Sequence, residues 1–103
     1  MEKHRLEGAG AEGFRVLGGT ERSQAAFMTL SAGEATGGPD NRHATSDQWL
    51  FVASGSGAAI VEGERIALEA GDLLLIAARE GHEIRASDDG PLVTVNIYAP
   101  PEY

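Results

Sequence analysis

The chain contains no cysteine. Disulfides, thiolate metal ligands and a cysteine nucleophile are therefore all excluded. Long apolar runs are also missing: the longest, Leu73–Ala78, falls far short of a bilayer span. The opening MEKHRLEGAG is charged and has no apolar stretch of the signal-peptide kind. Positive charge is scarce, with 8 Lys and Arg against 16 Asp and Glu and a net charge of −8. The basic residues are scattered, so a phosphate backbone is repelled and nucleic acid is not an expected partner. These absences lead to the expectation of a soluble, cytoplasmic protein with no membrane partner. No window keeps a helical period beyond two turns, and no repeat, low-complexity tract or linker interrupts the 103 residues. One core is all that this length supports.

Glycine is abundant instead, with 14 residues spread along the chain and apolar runs of strand length between them. That spacing predicts an all-β sandwich or barrel. The expected strands are Gly13–Leu17, Gln24–Leu30, Asn41–Ala44, Gln48–Ser54, Ala58–Val61, Glu64–Leu68, Leu73–Ile76, His82–Ala86 and Leu92–Tyr98. Residues 1–12 read as a flexible lead-in carrying an exposed His4, and residues 13–103 as the barrel. Glu62-Gly63 has the form of a two-residue hairpin turn. The stretch Gly37-Gly38-Pro39-Asp40 reads as a loop, and no helix follows it to make a phosphate cradle.

Alternation assigns faces. Gln48, Leu50 and Val52 lie on one side of their strand, Trp49 and Phe51 on the other. Both sides are apolar, so the second is expected to be covered, by another sheet or by a partner subunit. Trp49 and Phe51 are the candidates for a homodimer contact. In the last strand, Leu92, Thr94, Asn96 and Tyr98 alternate with Val93, Val95 and Ile97. The favoured reading places the valines and isoleucine in the core and the polar set in solvent; the alternative makes the polar set a pocket wall. The Pro100-Pro101 pair ends the sheet because proline lacks the backbone donor.

Two short patterns carry a family resemblance. Gln48 through Gly55 is similar to the E-x6-G half of a first motif, G-x5-H-x-H-x3-4-E-x6-G, with glutamine in the glutamate position. Counting back puts His43 in the second histidine position and Asn41 in the first. Gly71 through His82 is similar to a second motif, G-x5-P-x-G-x2-H-x3-N, with Ala77, Arg79 and Ala86 at its proline, glycine and asparagine. The hairpin within Ala58–Leu68 stands between them. On these residues the chain resembles the cupins, and the resemblance implies a single-domain double-stranded β-helix, a jelly-roll-like barrel of two antiparallel sheets.

The resemblance also implies a site. Cupins gather imidazoles and a carboxylate around one divalent transition metal, which here implicates His43, Gln48, His82 and Asn41. Imidazole suits Fe, Mn, Ni, Zn and Cu alike. Two of the four positions carry amides, which bind an ion more weakly; Asp47 has the wrong parity to help unless a bulge turns it inward. Two functional expectations follow. One is a metal-dependent oxygenase or isomerase acting on a small organic molecule. The other is a metal-free barrel that binds a small metabolite or sugar. No serine lies in a G-x-S-x-G elbow.

Overall fold

The computed structural model describes residues 1–6, 13–38 and 41–103. The described residues form nine strands: β1 Gly13–Gly19, β2 Gln24–Leu30, β3 Ala35–Gly38, β4 Asp47–Ser54, β5 Ser56–Val61, β6 Glu64–Glu69, β7 Leu73–Ile76, β8 His82–Ala86 and β9 Leu92–Ala99. Among the described residues there is no helix, so none long and apolar enough to cross a membrane. The strands form a five-stranded sheet in the order β1-β2-β9-β4-β7 and a four-stranded sheet in the order β3-β8-β5-β6. Every pairing is antiparallel. The fold is thus the all-β, two-sheet arrangement expected from the sequence. Residues 7–12 of the expected lead-in lie outside the described residues; His4 is exposed and bonded to Glu2.

The β5–β6 hairpin turns through Glu62 and Gly63 at φ 48° and 80°. Two successive left-handed residues are what a turn matched to strand twist requires. One expected strand is corrected. Asn41–Ala44 is irregular, and the strand lies earlier, at β3, pairing Gly37 with Glu83 and Gly38 with His82. The reason is the glycine content that first suggested a loop. Gly37 sits at φ 91°, and a side chain there would run into the His82 carbonyl. Only glycine lets the backbone approach that closely. The chain beyond still follows β8 through single bonds: His82 N–H donates to the Asn41 carbonyl at 2.9 Å and Arg79 N–H to the His43 carbonyl at 2.7 Å.

Inside the barrel, composition changes along the strands. Met28, Leu30, Leu50, Val52, Ala59, Leu68, Ile76, Ile84, Ala86 and Leu92 form the apolar cluster at one end. Two residues further along each strand the inner wall turns polar. Leu50 gives way to Gln48 on β4, Ile84 to His82 on β8, and Leu92 to Thr94, Asn96 and Tyr98 on β9. Register makes this a shared band: Gln48 pairs with Tyr98, Leu50 with Asn96 and Val52 with Thr94.

The favoured reading of the last strand is therefore corrected. Thr94 and Asn96 are fully buried and Tyr98 nearly so, whereas Ile97 is 37% exposed. The polar set faces the barrel interior. Trp49 and Phe51 point outward beside Leu73, Leu75 and Ile97, all exposed, with Trp49 paired to Leu75 and Ile97 and Phe51 to Leu73. No other element of the described chain covers that face.

Candidate functional site

The polar end of the barrel is built around His43, which follows β3 and precedes β4. The residue is 7% exposed. One nitrogen, Nε2, lies 3.1 Å from Gln48 Oε1. The Gln48 amide then donates to Asn96 Oδ1 at 2.9 Å, Asn96 donates to Thr94 Oγ1 at 3.0 Å, and Thr94 donates to the Met28 carbonyl at 3.4 Å. Every link is buried, and among the described residues no buried side-chain nitrogen or oxygen lacks a partner. A saturated chain of this kind holds its members in place, since each broken link strands a buried polar group.

The other nitrogen, Nδ1, donates to Glu102 Oε1 at 2.8 Å, a short, charge-assisted contact. His82 enters from the facing sheet, its ring centroid 5.0 Å from that of His43. Its Nδ1–H donates to the Glu80 carbonyl at 3.0 Å, which leaves Nε2 as the acceptor. Burial holds the His82 imidazole below the ordinary histidine range; the Glu80 carbonyl opposes that shift and the neighbouring His43 adds to it. Tyr98 stands edge-on to His43 at 5.3 Å. Burial, with Tyr103 and Glu102 beside it, pushes the Tyr98 phenol well above its usual range.

Three of the four residues nominated from the sequence thus converge, and the fourth adjoins them. Asn41 is exposed at the rim, and its amide nitrogen, 3.4 Å from His82 Nε2 and 3.5 Å from the His82 carbonyl, donates to both. The carbonyl can only accept, so the amide oxygen is turned away from the ring.

Whether this set fits a metal ion is decided by protons. An ion needs bare lone pairs converging on one point. A hydrogen lies between His43 Nε2 and Gln48 Oε1 in the arrangement described. If both amides turn over, Gln48 donates to His43 instead, and a hydrogen still lies between them. In either polarity His43 Nε2 is engaged with the Gln48 amide. Glu102 sits on the opposite edge of the His43 ring and cannot join Gln48 around one ion bound at Nε2. Among the described residues no three His, Asp or Glu side chains are grouped to hold a metal. As folded, the donor set is closed on itself, and an ion at His43 Nε2 must displace the Gln48 amide hydrogen bond.

Sequence reasoning missed Glu102 and Ser46 and placed Thr94, Asn96 and Tyr98 on the wrong side. For the β9 residues a signal existed: polar residues at every second position opposite the Gln48 face. For Glu102 none did, because its position depends on how the chain turns after β9.

Comparison with known proteins places the barrel. The family model for the cupin domain matches residues 26–98. A protein of Bacillus halodurans is 26% identical, with a TM-score of 0.83 over 89% of this chain and 73% of that one. An RmlC-like cupin protein from Desulfovibrio desulfuricans is 22% identical, with a TM-score of 0.79 over 98% of each chain. KdgF from a Halomonas species is 22% identical, with a TM-score of 0.77 over 85% of this chain and 77% of that one. No curated protein matches the sequence.

Proposed function

The chain belongs to the cupin domain family, and from that premise we propose that it binds a small polar organic molecule at the polar end of its barrel without a metal ion. The observation that carries this reading is the saturated chain from His43 through Gln48, Asn96 and Thr94 to the Met28 carbonyl. It fixes the His43 ring in orientation beside His82, and the two polar edges a ligand would compete for are the His43 Nδ1–H donor, now met by Glu102, and the His82 Nε2 acceptor, now met by the Asn41 amide. Tyr98 adds an aromatic wall. Such a small number of placed polar groups is what orients a ligand in a concave site. The test is thermal denaturation against a panel of sugars, organic acids and amides with chelator present throughout. At least one polar compound is expected to raise Tm in chelator. Stabilisation that requires a divalent ion and vanishes with chelator contradicts the reading.

A second reading keeps a divalent ion at His43, Gln48 and His82, with Asn41 at the rim. The approach of the two imidazoles to 5.0 Å favours it. It requires the His43–Gln48 hydrogen bond to open and His43 to shed the hydrogen or accept the ion in its place.

The partner proposed for the outer face is a second copy of the chain. Trp49, Phe51, Leu73, Leu75 and Ile97 expose on the order of 400 Å² of apolar surface on one sheet face. A two-fold pairing doubles that area in one contact and brings it, with its rim, into the range of a stable interface. Trp49 is the single tryptophan, so its emission is expected to shift to the red on dilution to monomer. Emission and light-scattering mass that stay monomeric at all concentrations contradict the pairing.

A further inference from the structure

Beyond β9 the chain folds back over the polar end of the barrel. Ser46, fully buried, donates to the Pro100 carbonyl at 2.6 Å. Gln24 clamps Glu102 and Tyr103: its amide donates to the Tyr103 carbonyl at 2.7 Å, and its oxygen accepts from the Glu102 and Tyr103 N–H groups at 3.2 and 2.9 Å. The Tyr103 ring packs on Phe14 at 4.8 Å and on Tyr98 at 5.2 Å. These contacts hold the backbone and Tyr103. None of them uses the Glu102 carboxylate, which reaches separately to His43 Nδ1 at 2.8 Å, with its second oxygen 3.5 Å from Ser46 Oγ.

We propose that the barrel mouth at His43 and Ser46 is a binding site for the carboxylate of a small organic acid, and that Glu102 fills it from within the chain as a competitor that the ligand displaces. The inference rests on the binding reading above and names the ligand class of that same site. Three features carry it. The donor is fixed: a carboxylate can only accept, so Nδ1 keeps its hydrogen whichever way the amide chain on the other side of the ring runs. The anion is drawn out of water, with the Glu102 side chain 23% exposed and the His43 side chain 8%. The carboxylate contact is separable from the anchors of the segment, so the carboxylate can leave while Gln24 and Phe14 still hold Tyr103.

An internal carboxylate on a short segment competes at an effective concentration in the millimolar range or above. If it occupies the site about nine-tenths of the time, it weakens an external acid by about ten-fold. Removing its charge restores that factor.

The test is a 1H–15N NMR titration of the full chain, with chelator present, using acetate and benzoate and their neutral counterparts acetamide and benzamide. The proteins are wild type, Glu102→Gln and Gln24→Ala. Glu102→Gln is expected to bind the acids at least about ten-fold more tightly than wild type, with shifts at the His43 ring and no gain for the amides. Gln24→Ala, which loosens the segment and leaves the site intact, is expected to fall between them, and it carries the test should Glu102→Gln not fold. In wild type the acids are expected to move the Glu102 and Tyr103 amide signals. Equal affinity of acids for wild type and both variants, equal gains for the amides, or no binding of acids to any of them overturns the proposal. Should a neutral polar compound of the wider panel still shift His43 in that last case, the carboxylate class falls and the binding reading stands. Should nothing shift His43, both fall.

Discussion

Replacing Asn96 by leucine tests the buried chain at its middle. Asn96 is fully buried and makes two links, accepting from Gln48 and donating to Thr94. Leucine of similar volume strands one Gln48 N–H, while the Thr94 hydroxyl keeps the Met28 carbonyl. A stranded buried donor costs about 1–3 kcal/mol. Gln48→Leu strands two groups, Asn96 Oδ1 and the Nε2 edge of His43, and is expected to cost about 2–5 kcal/mol. The double variant removes both partners of the central bond and strands only the His43 edge. Two of the three groups stranded in the singles are thereby relieved, so its loss is expected to fall short of the sum of the singles by about 2–5 kcal/mol. Urea denaturation of the four proteins measures this, with unchanged m-values showing that the two-state comparison holds. Strict additivity, or an Asn96→Leu variant as stable as wild type, would refute the claim that these side chains form one coupled chain.

Other consequences concern backbone and pH. Gly37→Ala meets both a left-handed φ of 91° and the His82 carbonyl, and is expected to lower stability by about 1–3 kcal/mol by denaturant midpoint. Gly90→Ala, with open space around it, is expected to stay within about 0.5 kcal/mol of wild type. Because burial first of all lowers the His82 pKa in the folded state, the unfolded chain binds more protons in the window below the ordinary histidine value. The His82 contribution is present above about pH 6.5 and is lost as pH falls through that value toward the lowered one. His82→Gln is expected to flatten this part of the stability-against-pH curve; an identical slope in the variant would contradict it.

Much of the fold is written in the turns and runs of the sequence. Eight of the nine strands begin or end within two residues of where glycines and alternation put them, and Glu62-Gly63 specifies its hairpin through conformations that few dipeptides adopt. The misplaced strand and the inverted one share a cause in local rules that the barrel overrides. Glycine marks loops because it is permissive, yet at Gly37 permissiveness serves a close strand contact. Alternation on β9 shows that two faces differ without saying which is inside. The rule that apolar residues go inward gives the wrong answer there, because this barrel has a polar inner band and an apolar outer face. Of the site, His43, Gln48 and His82 were legible through motif spacing. Asn96 and Thr94 became part of it through register, and Glu102 through a chain reversal, neither of which a linear pattern encodes.

The most direct measurement is a long-range 1H–15N correlation of the histidine rings during titration with Zn2+ and Mn2+. The account predicts His43 protonated at Nδ1, His82 protonated at Nδ1 with a bare Nε2, and no stoichiometric change at His43 at micromolar metal. Coordinated loss or shift of both Nε2 signals at one equivalent of ion, reversed by chelator, would contradict it and make the barrel a metal site after all.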